Sequence, residues 1–442
     1  MRTRFVISAI LVAATLFAAP GPSSAQPSRA LILEAIEVEP TRRGMDDVIA
    51  DLAGLEIGQE IDAEDLRAAR RTIARSGWFE EVEVYTRAGS EPGRLVLRVE
   101  GPLDDDIAFE TGVGSDPLDG WYLNLIGARM HHVIEEGSTA RANVQFSERR
   151  TTTRFEFELP RVAGTNLDLL FDMGGGSEDW FAYSGDTAYR QSIDRSYARL
   201  GARTHLSRST ALEFWIGGSS ADPGDIDLSL GTENGDFDRT QLVGPFGDRE
   251  RYSDARIDLT WDRRDRVQPW RNGSWGLLRL ETSRPNDDGP TFIRTRAAYR
   301  GALGLPGQQA LALRADLAWA DRGTPYHLRP IFGGLGSVRG FRDASLSGGR
   351  GARATAATAL EWRVPLHPRA SRDPRVHGVL FVDTGRFIDA DGDLGPWSTS
   401  VGWGVRVRLP WIERVSFDSA IPLTPTSTKD SFWVHASLGF GF

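Results

Sequence analysis

From Leu103 to Phe442 the chain is a long series of short runs in which apolar and polar side chains alternate, with no amphipathic helix among them. A period of two sends successive side chains to opposite faces of a strand, so this stretch has to become sheet. The last run is the cleanest. Phe432, Val434, Ala436, Leu438, Phe440 and Phe442 share one face, and Trp433, His435, Ser437, Gly439 and Gly441 share the other. Arg256–Trp261 sets Ile257, Leu259 and Trp261 against Arg256, Asp258 and Thr260, and Ala310–Ala320 sets Leu311, Leu313, Leu317 and Trp319 against Arg314 and Asp316. Alternation alone suits a soluble sandwich as well as a membrane barrel. Three features favour the barrel. Charges stand directly behind the apolar face, several to a run, as a polar lumen requires. Trp and Tyr recur near run ends. The chain also opens on an export signal and closes on an aromatic residue. A mean hydropathy of −0.33 is no objection, because only half of each strand meets lipid. At about 21 residues per strand and connection, the stretch from residue 104 holds about sixteen strands.

The export signal spans residues 1–25. Arg2 and Arg4 precede the apolar run Phe5–Ala19, and Ser23-Ser24-Ala25 supplies small residues for cleavage before Gln26. That run falls short of the ~20 residues of a spanning helix. The absence of cysteine excludes disulfides, thiolate metal sites and a lipoprotein anchor. With 61 acidic against 52 basic residues, and a net charge of −9, nucleic acid is not expected as a partner.

Residues 26–102 read as a separate small unit. Leu31–Val38 suits a strand. Met45, Val48, Ile49 and Leu52 have helical spacing, closed by Gly54. Asp62 is placed to cap a second helix carrying Leu66, Ala69 and Ile73 on one face. Phe79–Tyr85 and Arg94–Val99 then alternate as strands around the turn Ser90–Gly93. The order β-α-α-β-β, with the phrase LRAARRTIARSGWFEEVEV, resembles a POTRA domain. The resemblance implies a periplasmic module whose open sheet edge accepts an extended client by strand addition. Arg94–Val99 or a neighbouring strand would supply that edge.

Within the alternating region one stretch is neither strand nor helix: Phe332–Asp343, FGGLGSVRGFRD. Its four glycines, Gly333, Gly334, Gly336 and Gly340, give it backbone freedom, and at its centre stands the tetrad Val338-Arg339-Gly340-Phe341. A surface loop, a phosphate cradle and an internal plug are all open readings of it. Further on come the strand bearing Glu361 and the phrase Phe381-x-Asp383-x-Gly385. Counting strands back from Phe442 puts the loop between the eleventh and the twelfth.

These markers, with Trp261-Asp262-Arg263-Arg264-Asp265 and the terminal aromatic strand, resemble the outer-membrane assembly superfamily of BamA, TamA and the two-partner secretion transporters, whose barrel is called the bacterial surface antigen domain. The resemblance covers nearly all of the chain beyond residue 25. It implies a transmembrane β-barrel of about sixteen antiparallel strands at residues 103–442, in the bacterial outer membrane, preceded by one POTRA-like domain. It also implies that the Gly-rich loop folds into the lumen, where Arg339 meets Glu361 and Asp383 while Phe341 packs on the wall. An arginine there needs carboxylate partners, and its planar fork accepts two. Breaking such a pair costs ~3–5 kcal/mol when it is fully buried and ~1 kcal/mol when exposed. A wet lumen suggests a value in between.

The implied function is to assemble, insert or translocate other proteins at the outer membrane. The implied partners are unfolded outer-membrane or secreted clients, outer-membrane lipid, and a periplasmic protein reached through the POTRA-like domain. The seam between the first strand (about Ile107–Val113) and the last (Phe432–Phe442) is the expected weak point, since Gly439 and Gly441 lack side chains to pack. A passive pore and an adhesin-like surface barrel are the rival readings. No cofactor or enzymatic activity is expected, because no Ser/His/Asp set, paired carboxylates or G-x-S-x-G phrase stands out. Asp389-Ala-Asp391-Gly-Asp393 resembles a calcium loop but has its glycine displaced and Ser400 where the bidentate glutamate belongs. His131-His132 reads as a loop feature, and Gly174-Gly175-Gly176 as a loop or a strand kink.

Overall fold

The computed structural model describes residues 31–438 with breaks. The longest breaks are 40–44, 228–248, 265–269, 368–374, 408–414 and 425–432, and the rest are three residues or fewer. The export signal, Phe432, Gly439, Phe440, Gly441 and Phe442 lie outside the described residues.

The N-terminal unit runs β1 (Leu31–Glu39), α1 (Met45–Ala53), β2 (Glu60–Ile61), α2 (Ala63–Ala74), β3 (Glu83–Ala88) and β4 (Arg94–Glu100). Asp62 caps α2 reciprocally with Asp65. Asp65 N–H donates to Asp62 Oδ1, and Asp62 N–H donates to Asp65 Oδ2, each at 3.0 Å. Leu33, Ile36 and Val38 of β1, Met45 and Ile49 of α1, Ala69 and Ile73 of α2, and Leu95, Leu97 and Val99 of β4 form one buried core. The sheet order is β2-β1-β4-β3. Because β4 pairs with β1 in parallel on one side and with β3 on the other, Arg94–Val99 lies inside the sheet and cannot be its edge. The long free edge is the neighbouring β3, where Tyr85 and Arg87 are exposed.

Beyond it the described residues form a closed barrel of sixteen strands, each antiparallel to the next. They are β5 (Ala108–Asp116), β6 (Gly120–His131), β7 (Thr139–Ser147), β8 (Arg150–Leu159), β9 (Leu167–Ser184), β10 (Thr187–Ser207), β11 (Thr210–Asp227), β12 (Glu250–Asp262), β13 (Gly273–Pro285), β14 (Phe292–Leu305), β15 (Gln309–Ala320), β16 (Ala354–His367), β17 (Val376–Ile388), β18 (Ser398–Val407), β19 (Val415–Pro422) and β20 (Trp433–Leu438). The alternation sorts the wall. Ile216, Leu360, Leu380, Val382, Phe417 and Val434 face outward and are exposed, while Glu361, Phe381, Asp383 and Asp418 face inward and are buried.

The strands are unequal in length. β9, β10 and β11 have 18, 21 and 18 residues, against 9 in β5 and β7. About ten residues cross a bilayer, so the three long strands project past the rim away from the N-terminal unit. Their inner faces have something to cover. Trp180, Ile193 and Ala221 pack with Tyr252 of β12, with Phe292 and with Tyr326 of the loop after β15. Gly174 lies within β9 and not in a loop. A Cβ there would stand 3.0 Å from the Tyr197 ring, so glycine leaves room for that side chain on the next strand. His131 ends β6, and Trp78 of the N-terminal unit meets the His131 ring at a tilt and the His132 ring edge-on, at 5.9 and 5.6 Å between centroids.

Candidate functional site

The Gly-rich loop joins β15 to β16 and turns back into the lumen. Gly333, Gly334 and Gly340 have φ of +116°, +89° and +89°, the left-handed region open to glycine. The loop is partly self-bonded. Gly334 N–H donates to the carbonyl of Val338 and Leu346 N–H to that of Phe332, at 3.2 and 2.9 Å. Its apolar side chains seat the tip. Phe332, Val338 and Phe341 pack with Ala357 of β16 and are 2 % exposed or less.

The tip delivers Arg339 to a set of buried acids. Its Nε and Nη2 donate to the two oxygens of Asp383, both at 2.7 Å, and its backbone N–H donates to the same carboxylate at 3.0 Å. Nη1 donates to Glu361 at 2.8 Å and to Asp418 at 3.2 Å. The guanidinium carbon lies 3.5 Å from the centroid of the Phe381 ring. The phrase Phe381-x-Asp383-x-Gly385 thereby acquires a physical meaning. Three successive lumen-facing positions of β17 supply a stacking face, a paired carboxylate and a gap. A Cβ on Gly385 would stand 2.7 Å from the ring of Phe332, so glycine there admits the loop. Gly340 is close-packed too, its would-be Cβ 3.1 Å from Ser400 and 3.3 Å from Ala420.

Arg339 is 3 % exposed, and Glu361 and Asp383 are not exposed at all. The wet lumen expected from the sequence does not apply at this spot, because the loop's own aromatics exclude water. Breaking the pair belongs at the buried end of the range, ~3–5 kcal/mol.

Several partners were not singled out in the sequence. Asp418 of β19 accepts from Arg406 of β18 at 2.6 and 3.1 Å as well as from Arg339. Arg363 closes on Glu361 at 2.9 and 3.1 Å. Arg314 of β15 donates to the Ser337 carbonyl at 2.7 Å. His435 of β20 accepts from Gly340 N–H at 3.3 Å. All these residues occupy lumen-facing positions within strands, and that parity was the available signal. The cluster touches every strand from β15 to β20.

The stem of the loop has a second hold at the far rim. Arg195 of β10 donates to the His327 carbonyl at 2.7 Å, and Tyr326 OH bonds to Gln191. Burial, aided by Arg195 and Arg294, pushes the His327 imidazole down to about 3, so it stays neutral there.

Of the seam residues, Val434 faces outward and Leu438 pairs with Ser115 of β5. That is the one β20–β5 pair among the described residues. Asp389 accepts from the backbone N–H groups of Asp391, Gly392 and Asp393 at 3.0, 2.8 and 2.8 Å, which closes a tight turn.

A sixteen-strand barrel with a lumen-locked loop between its eleventh and twelfth strands invites comparison with known proteins. The sequence matches the Omp85 superfamily domain over residues 135–442. The chain belongs to the Omp85 superfamily. Among solved structures it is similar to BamA from Haemophilus ducreyi lacking POTRA domains 1–3, with 16 % identity and a TM-score of 0.63, covering 92 % of this chain and 84 % of that one. It is also similar to CdiB from Acinetobacter baumannii (12 % identity, TM-score 0.56, 93 % and 74 % covered) and to CdiB from Escherichia coli (12 %, 0.54, 96 % and 92 %). At such identities these likenesses speak for the fold. No curated protein matches by sequence. As an Omp85 protein the chain is an outer-membrane β-barrel, which places the N-terminal POTRA-like unit in the periplasm and the projecting rim of β9–β11 outside the cell.

Proposed function

We propose that this protein inserts or translocates other proteins at the outer membrane through a gated barrel. The observation that carries the reading is the lock on the lumen loop. Its tip is buried against six consecutive strands and reaches His435 on β20, the strand that closes the barrel against β5. A loop seated there can report the state of the seam. Parted edges of β5 and β20 would template a client strand through unpaired backbone groups. The C-terminal residues Phe432–Phe442 would carry the barrel's own assembly signal and its movable edge.

In this reading residues 1–25 are removed on export, residues 26–102 form the periplasmic receptor and residues 103–442 form the barrel. Unfolded outer-membrane or secreted proteins are the clients, met by strand addition on the free edge of β3. Outer-membrane lipid surrounds the opened seam. The client's own folding supplies the energy, and no chemistry at a catalytic centre is needed.

The rival is a passive pore, and the loop argues against it. In planar bilayers the refolded protein should give a small, flickering conductance. A large and steady conductance would mean an open channel and would overturn the gated reading.

A further inference from the structure

Away from the lock, on the opposite wall, the lumen holds a chamber of about 900 Å³ floored by Leu52 and Trp78 of the N-terminal unit. Three of the arginines that line it, Arg154, Arg203 and Arg279, are saturated by acids. Arg154 closes on Asp172 at 2.9 and 3.1 Å, and Arg203 on Glu158 and Glu213 at 2.7 and 2.8 Å. Two are different. Arg199 and Arg256 donate no hydrogen bond among the described residues, and the Nε of each is buried without an acceptor.

Their nearest acids are engaged elsewhere. Arg199 comes only within 3.6 Å of Glu281 and 3.9 Å of Asp254. Glu281 is held by Arg294 at 2.9 Å, and Asp254 accepts from Ser219 and Ser283 at 2.6 Å each. Arg256 Nε lies 3.1 Å from Asp258, whose two oxygens already take the fork of Arg279 at 2.8 Å each.

Both guanidiniums are nevertheless held in place. Arg199 lies over Tyr197 at 5.1 Å and Arg256 over Trp215 at 4.8 Å. Trp215 can lie flat because its cross-strand neighbour is Gly201, where a Cβ would stand 2.6 Å from the indole. Each guanidinium thus lies against an aromatic ring and lines the chamber. Stacked, charged and unsatisfied forks are what a multivalent oxyanion matches, since each can give two charge-assisted hydrogen bonds. Such an anion would also relieve the repulsion of Arg256 by Arg199 and Arg279, both near enough to act on it.

We propose that this chamber is a binding site for a small multivalent oxyanion of the size and charge of phosphate or pyrophosphate, held by the edges of Arg199 and Arg256. The site is independent of the loop lock and of the client. Equilibrium dialysis of the refolded full chain against radiolabelled pyrophosphate, at constant chloride, tests it. One equivalent should bind saturably. Arg199→Gln/Arg256→Gln should weaken binding by about tenfold or more, the loss of roughly one charge-assisted bond. Each single replacement should weaken it less, which keeps the test open if the double variant fails to fold. Arg322→Gln, at an exposed position outside the chamber, should leave binding unchanged. Absent or unsaturable binding to the wild type overturns the proposal, as does equal affinity in folded variants.

Discussion

Arg339→Ala should raise the conductance of the refolded barrel several-fold and lower the temperature at which it loses its heat-modifiable mobility. The reason is local. Asp383 receives two side-chain bonds from Arg339, and among the described residues the one other arginine within ion-pair range, Arg314, stands 4.0 Å away. Truncation leaves that carboxylate buried with the backbone N–H of residue 339 as its remaining partner from the tip. A buried charge stripped of its partner costs ~3–5 kcal/mol, and the loop can avoid the penalty by leaving the lumen. Lysine should rescue only in part. It keeps the charge, but a single ammonium cannot present a fork to Asp383 and reach Glu361 and Asp418 as well. Unchanged conductance and unchanged heat-modifiability in Arg339→Ala would mean that the loop is held by its aromatics alone.

Gly340→Val should unseat the same loop while keeping every charge of the lock. At φ +89° a branched side chain is strained, by roughly 1–2 kcal/mol. Its Cβ would also press on Ser400 and Ala420 at 3.1 and 3.3 Å, where overpacking typically costs a further ~1–3 kcal/mol. Both neighbours belong to barrel strands and cannot step aside. The variant should therefore conduct like Arg339→Ala. A Gly340→Val protein as closed as the wild type would show that the tip tolerates another path into the lumen. Together the two variants separate the seat of the loop from its charge.

The sequence made parts of this site legible and left others hidden, for identifiable reasons. Alternation in runs such as Ala310–Ala320 assigned each side chain to lumen or lipid, because a strand has only two faces. Arg339, Glu361 and Asp383 could be named because motif spacing ties them to the loop and to two successive strands. Asp418 and Arg406 could not be matched to Arg339 in the same way. They stand on later strands, and which lumen charges meet depends on barrel tilt and register, neither of which is local. The long strands β9–β11 were hidden for a related reason. Their polar upper halves resemble loops until Tyr326, 135 positions from its partner Gln191 in sequence, arrives to be covered. In the N-terminal unit the parallel return of β1 onto β4 decided which strand is the edge, and no short stretch of sequence carries that information.

The seam between β5 and β20 carries the central claim, and a reversible lock across it tests that claim most directly. Ser115 and Leu438 face each other in register, and the chain has no cysteine of its own, so Ser115→Cys/Leu438→Cys can form only the intended disulfide. The measurement is the assembly or secretion of outer-membrane clients in cells whose only copy carries the pair, oxidised and then reduced. Client assembly should be lost when the disulfide is formed and recovered on reduction, with the barrel folded in both states. Full client assembly with the seam quantitatively cross-linked would contradict the claim.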